Sequence, residues 1–137
     1  MSLASLRDVV ARLTDKQAEL FLGKNFGAVA TIRPDGTPHV TPVWVDYDGE
    51  HVVFNTATGR AKWQHMQRDP RVTVEVYSQD DPYDYVTVTG TVELEEGEEA
   101  DRHIDKLSEK YTGSPKFQSH RPGERRVLVR VTLERVS

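Results

Sequence analysis

The stretch Phe26–Thr56, "FGAVATIRPDGTPHVTPVWVDYDGEHVVFNT", decides the fold. Apolar and polar residues alternate in three runs, "FGAVATI", "HVTPVWVDY" and "HVVFNT", and the turn sequences Pro34-Asp35-Gly36 and Asp48-Gly49 separate them. A period of two marks strands with one buried face, and tight Asp-Gly turns join strands antiparallel. The stretch predicts a three-stranded meander. Pro42 sits inside the middle run and cannot donate to a ladder, so that strand must be bulged there or lie partly at an edge. A ligand could lie beside it.

Toward the C-terminus, "TATGRAKWQHMQRDPRVTVEVY" (Thr56–Tyr77) reads as a loop, a helix beginning near Arg60, and a strand in which Val72, Val74 and Val76 alternate with Thr73, Glu75 and Tyr77. "YVTVTGTVEL" repeats the pattern, with Val86, Val88, Val92 and Leu94 on one face. The acidic run Glu93–Asp101 leads into Ala100, Ile104, Leu107 and Tyr111, spaced i, i+4, i+7 and i+11, with Lys106 and Lys110 toward the end. Acids at the start and bases at the end complement a helix dipole, so this is a helix with solvated acids rather than a metal site. "TGSPKFQSHRPGE" is a loop by composition, and "RRVLVRVTLERV" is a closing strand with Val127, Val129, Val131 and Leu133 inward.

Toward the N-terminus, Leu3, Leu6, Val10 and Leu13 recur at helical spacing, and "TDKQ" at Thr14–Gln17 is a capping-box pattern opening a second short helix through Phe21 and Leu22. The expectation is a mainly β chain with three or four short helices. Its six strands, joined by tight turns, close as a small antiparallel barrel in a single domain over residues 1–137.

The totals restrict function. A chain of 137 residues can bury roughly 65 to 70% of its unfolded surface. The absence of cysteine excludes disulfides, thiolate metal sites and cysteine nucleophiles. No apolar run approaches the ~20 residues of a membrane span, and no signal-peptide order opens the chain, so a cytoplasmic protein without membrane contact is expected. A net charge of −4 disfavours nucleic acid as a partner. His39, His51, His65, His103 and His120 show no metal-ligand spacing, and neither a GxSxG elbow nor a GxxxxGKS/T loop is present, so no metal is expected.

One segment remains unexplained. Thr56, Thr58, Gly59, Arg60 and Lys62 place hydroxyls and bases just ahead of a helix start. Read by itself, this fits solvated charges better than a phosphate seat. The ordered phrases "ATIRPDGTPHVTPVWVDYDG", "TGRAKWQHMQRDPRVTVEV" and "YVTVTGTVEL" reverse that preference, because together they resemble the split β-barrel flavin and deazaflavin oxidoreductases. The likeness is to the pyridoxamine-phosphate-oxidase-like, F-420-dependent class, of FMN-binding-barrel type, and it covers residues 14–136.

The resemblance implies a homodimer with a cofactor in a groove between subunits, coenzyme F-420 or alternatively FMN, and hydride transfer to a small organic acceptor. It implies that Thr56, Thr58, Arg60, Ala61 and Lys62 surround the cofactor phosphate. Thr41, Pro42, Val43, Trp44 and Val45 would run along the ring edge, with Phe54 and Asn55 lining the same groove. Tyr77, Ser78 and Gln79 would meet the ring or the partner, and Arg125, with Arg126, would reach the other subunit's cofactor. No side chain is assigned a catalytic role. The alternatives are an FMN-dependent oxidase or reductase, ranked lower because the chain lacks the C-terminal extension that usually completes a pyridoxal-type site, and a non-catalytic flavin-binding protein, which a site blocked by Trp44 would favour.

Overall fold

The computed structural model describes residues 11–137, so the expected leading helix, with Leu3, Leu6 and Val10, lies outside the described residues. The first described helix, α1 (Asp15–Leu22), starts with the expected capping box. The Thr14 hydroxyl accepts from the Gln17 amide at 3.2 Å, and the Gln17 side chain accepts from the Thr14 amide at 2.9 Å. Then follow β1 (Phe26–Ile32), β2 (Pro38–Tyr47), β3 (Val52–Ala57), α2 (Ala61–Arg68), β4 (Arg71–Tyr77), β5 (Tyr85–Glu96), α3 (Glu98–Thr112) and β6 (Arg126–Val136). None of the described helices is long and apolar enough to cross a membrane.

The six strands close a barrel in the order β1-β2-β3-β6-β5-β4, and every neighbouring pair is antiparallel. The valines that alternate in the sequence fill it: Val29, Val45, Val74, Val76, Val88, Val127, Val129 and Val131 are fully buried around Phe21, Phe54 and Leu133. Where β5 and β6 pair, the register shifts between Thr89 and Gly90. A Cβ on Gly90 would lie 1.9 Å from the Thr132 carbonyl oxygen, so this close approach of two backbones admits only glycine.

One junction of the barrel is incomplete. β2 pairs with β1 from Pro38 to Trp44, but it pairs with β3 only from Val45 to Tyr47. Pro42, opposite Ala28, therefore stands on a strand whose other edge is left open by the described residues, and the partial-edge alternative for this proline is the one adopted. At the fork the Tyr111 hydroxyl accepts from the Val45 amide at 3.1 Å and lies 2.6 Å from the Asn25 carbonyl oxygen, to which it donates. Lys110 donates to the carbonyls of Phe21 at 2.7 Å and Val45 at 2.6 Å. Two consecutive residues of α3 thus satisfy the backbone groups that the parting strands leave without partners.

α3 lies against the outside of β6, β5, β2 and β3. Its predicted stripe of Ala100, Ile104, Leu107 and Tyr111 is buried, and Gly113 ends it in the left-handed conformation (φ 82°). The acids Glu98, Glu99 and Asp101 occupy its first turn and are exposed, as a dipole-complemented solvated face requires.

Candidate functional site

A cavity of about 400 Å³ opens at the fork between β2 and β3. Pro42, Val43 and Trp44 line it from the open strand, Asn55 and Thr56 from the end of β3, and Arg60 and Lys62 from the start of α2. Phe26, Ile104, Leu107, Phe117 and Arg126 complete the wall. One side is cationic and the other is apolar.

The cationic side follows from local structure. Gly59, at φ 85°, turns the chain after β3, and α2 begins at Ala61, after Arg60 as its N-cap, with no acid in its first turn and no side-chain cap among the described residues. Its first N–H groups and the positive end of its dipole are left to an outside acceptor. Burial, then the neighbouring charges of Arg60 and Arg126, hold the Lys62 ammonium below its ordinary pKa, and no carboxylate among the described residues counters them. The Thr56 hydroxyl is buried without a hydrogen-bond partner among the described residues. Buried polar atoms are rarely left so.

Arg126 is held from two sides. Its Nε donates to the Asn55 side-chain oxygen at 2.9 Å, Nη1 donates to Glu124 at 3.1 Å, and the guanidinium lies 5.0 Å over the Phe117 ring. Burial lowers its pKa, and Glu124 opposes that shift. With its oxygen committed to Arg126, the Asn55 amide donates to the Ala100 carbonyl at 3.1 Å and faces His103 Nδ1 at 3.1 Å. His103 must then accept at Nδ1, which requires the neutral ring, and burial pushes its pKa down to about 4.

The apolar side is an aromatic cluster. Trp44 stacks on Tyr111 with centroids 5.4 Å apart and planes 7° from parallel, and Phe117 meets it edge-on at 6.0 Å. Trp44 is therefore a wall of the cavity and does not fill it. Burial raises the Tyr111 hydroxyl pKa to about 12, which keeps it a neutral donor.

The structure brings Pro42, Val43, Trp44, Asn55, Thr56, Arg60 and Lys62 to one cavity. Other candidates lie elsewhere. Val45 and Phe54 are 0% exposed and turned into the core, and Thr41 faces inward on β2 with its hydroxyl also unpartnered among the described residues. Thr58 ties two loops, its amide donating to the Arg125 carbonyl at 2.9 Å and its hydroxyl accepting from the Arg125 amide at 3.3 Å. Ala61 opens α2 beside the cavity without lining it.

Arg125 points away, paired with Glu96 at 3.2 Å, and it is Arg126 that enters the site. Tyr77 ends β4, and Ser78 and Gln79 follow it, outside the cavity, where the Gln79 amide donates to Asn25 and the Ser78 amide to the Asp84 carbonyl. Phe26, Ile104, Leu107 and Phe117 were not among the expected site residues; Ile104 and Leu107 were read as the buried stripe of a helix, Phe26 as the start of a strand and Phe117 as part of a loop. No histidine lines the cavity. His65 bonds the Thr31 hydroxyl at 2.9 Å and packs against His39 near the opposite end of β1, and among the described residues no three His, Asp or Glu side chains form a metal cluster.

Comparison with known proteins agrees with this architecture. The pyridoxamine 5'-phosphate oxidase family model matches residues 13–137. An F-420 reductase structure is 30% identical, with a TM-score of 0.78, over 91% of this chain and 98% of that one. A conserved hypothetical protein from Mycobacterium tuberculosis is 28% identical, with a TM-score of 0.72, over 93% of this chain and 84% of its own. General stress protein 26 from Bacillus anthracis, 20% identical with a TM-score of 0.64 over 89% of each chain, shares the fold. With a six-stranded barrel left open at one fork and a family match over nearly all its length, the chain belongs to the pyridoxamine 5'-phosphate oxidase family of split β-barrels.

Proposed function

We propose that the protein is an oxidoreductase that binds coenzyme F-420 at the β2–β3 fork and passes a hydride to a small organic acceptor, with FMN as the alternative cofactor. The observation that carries this reading is the two-sided cavity: Arg60, Lys62, Arg126 and an unpartnered Thr56 hydroxyl on one wall, Phe26, Trp44, Ile104, Leu107 and Phe117 on the other. A planar ring joined to a phosphate presents that combination of surfaces. Thr56, Arg60, Lys62 and the uncapped start of α2 would hold the phosphate, while the open edge of Pro42–Trp44 offers backbone groups to the ring edge. The reduced cofactor supplies the hydride, and the chain supplies orientation and exclusion of water. No side chain is assigned proton transfer. The cavity beside Trp44 favours a binding enzyme over a blocked, non-catalytic module.

F-420 is preferred because the 30% identical neighbour is an F-420 reductase. A homodimer belongs to the same reading. Cross-strand partners share a face, and on the outside of the β1–β2 pair these are Ala28 with Pro42, Ala30 with Val40, and Ile32 with Pro38, all apolar. Val40 is 62% exposed there. An apolar face continuous with the cavity suits a second subunit, toward which Tyr77–Gln79 and Arg125 could contribute.

Fluorescence titration with F-420 and with FMN, at low and high salt, tests the cofactor. The expected result is tighter binding of F-420, weakening with salt, followed by turnover of an activated double bond with reduced F-420. FMN affinity equal or better in both salts moves the function to a flavoenzyme, and binding of neither removes the proposal.

A further inference from the structure

Resting on that anion seat, we infer that Glu124, a residue that does not line the cavity, sets the charge of the ligand the seat accepts. Its side chain is only 6% exposed and stands between the two arginines of the wall, 3.4 Å from Arg60 Nη2 and 3.1 Å from Arg126 Nη1. His120 Nδ1 lies 3.6 Å away on the loop side. Burial works against the carboxylate, but hydrogen bonds from Arg126, the Arg121 amide and Arg60 outweigh it and keep Glu124 ionised, below its ordinary pKa.

Three cations border the seat, and one buried anion is shared by two of them. Asp101 adds a weaker negative field at Arg126. Among the described residues, Lys62 has two like charges beside it and no opposite one. The seat then carries close to two net positive charges. That matches a ligand end with two negative charges. A phosphate monoester has them on one group; a phosphodiester with an adjacent carboxylate has them on two. A more highly charged diphosphate end is left under-neutralised, and removing the Glu124 charge would correct the mismatch.

Glu124 is a positioning residue, because it acts through Arg60 and Arg126 and touches no ligand. Its effect is nevertheless readable as charge discrimination. Glu124→Gln keeps the size and a carbonyl acceptor for Arg126 while deleting the charge. Glu124→Asp keeps the charge.

The test measures dissociation constants of inorganic phosphate, pyrophosphate, FMN, F-420 and phosphate-free riboflavin for the parent and both variants. In Glu124→Gln the preference for pyrophosphate over phosphate is expected to rise about fivefold or more, from one added charge some ~7 Å from the extra ligand charge in a medium of intermediate dielectric. Riboflavin affinity should stay as in the parent, and Glu124→Asp should keep the parent's preference. A larger gain for FMN than for F-420 identifies the monoester as the matched group; the reverse identifies the diester with its carboxylate.

An unchanged pyrophosphate preference in a folded Glu124→Gln variant overturns the inference, as does a riboflavin shift equal to that of FMN, which would mark a purely structural effect. Should that variant not fold, Lys62→Gln reads the same quantity with the opposite sign, and an unchanged preference there overturns it equally. If the parent binds F-420 and FMN but discriminates no anion, only the charge inference falls. If the folded parent binds none of the five, the seat itself falls.

Discussion

Removing one oxygen from Tyr111 should destabilise the fold while leaving the aromatic wall in place. The Tyr111 hydroxyl accepts from the Val45 amide, donates to Asn25 and lies 3.2 Å from the Val45 carbonyl oxygen. In Tyr111→Phe the ring can still stack on Trp44, but a buried amide and a carbonyl at the fork lose their partner. Stranding buried backbone groups costs about 1 to 3 kcal/mol. Taking about 2.1 cal/mol/K per residue for the unfolding entropy over 137 residues, that cost lowers the midpoint by about 3 to 10 °C. The assay is thermal unfolding followed by circular dichroism, with Trp fluorescence as the control that the stack survives. A Tyr111→Phe midpoint within a degree of the parent's would refute the assignment of this hydroxyl as the cap of the parting strands.

Arg60→Ala and Lys62→Ala should each weaken the phosphorylated cofactor by about 1.5 to 3 kcal/mol, the value of a charge-assisted contact, with little loss of stability; parent-like binding in both, read by titration, places the phosphate elsewhere. Because the Lys62 pKa is already depressed and a bound anion would raise it again, affinity should hold at neutral pH and fall as pH rises through the free-state value, a trend that Lys62→Arg should abolish. His103 should make stability fall with acid. Above its unfolded value of 6.5 both states are neutral; from there down to about 4 only the unfolded chain takes the proton; below that the loss levels off, after about 3 kcal/mol in all. Urea unfolding across that range, flattened in His103→Asn, checks it. Val40→Glu, on the exposed apolar face of β2, should shift the protein toward monomer in sedimentation, and an unmoved dimer would put the interface elsewhere.

The barrel was legible because alternating valines report a face directly: Val72, Val74 and Val76, or Val127, Val129 and Val131, point inward as their spacing requires. The stripe of α3 was equally readable. The same alternation could have shown that a groove beside β2 and β3 does not receive every side chain in turn; Val45 and Phe54 had to face the core. Choosing between Arg125 and Arg126 needed more, since the outer face of β6 is buried only where α3 and the loop before it cover it, and local pattern does not report coverage. For Ile104, Leu107 and Phe117 hydrophobicity signals burial, but whether the buried side meets the barrel or borders a gap depends on where a helix crosses the sheet.

The open edge of β2 carries a consequence for solubility. Val45 turns its amide toward Asn25 and β1, so alternation turns the amides of the even-numbered residues toward the opening. Two of those positions are Pro38 and Pro42, which have no N–H to offer, leaving donors only at Val40 and Trp44. An incoming strand from another molecule would find every second hydrogen bond missing and could not zip along the edge, whereas a small ligand needs only one or two such groups. The prolines thus let the barrel stay unfinished beside the cavity without becoming a template for aggregation, and replacing both with residues that carry an amide hydrogen would expose that hazard as self-association of the folded protein.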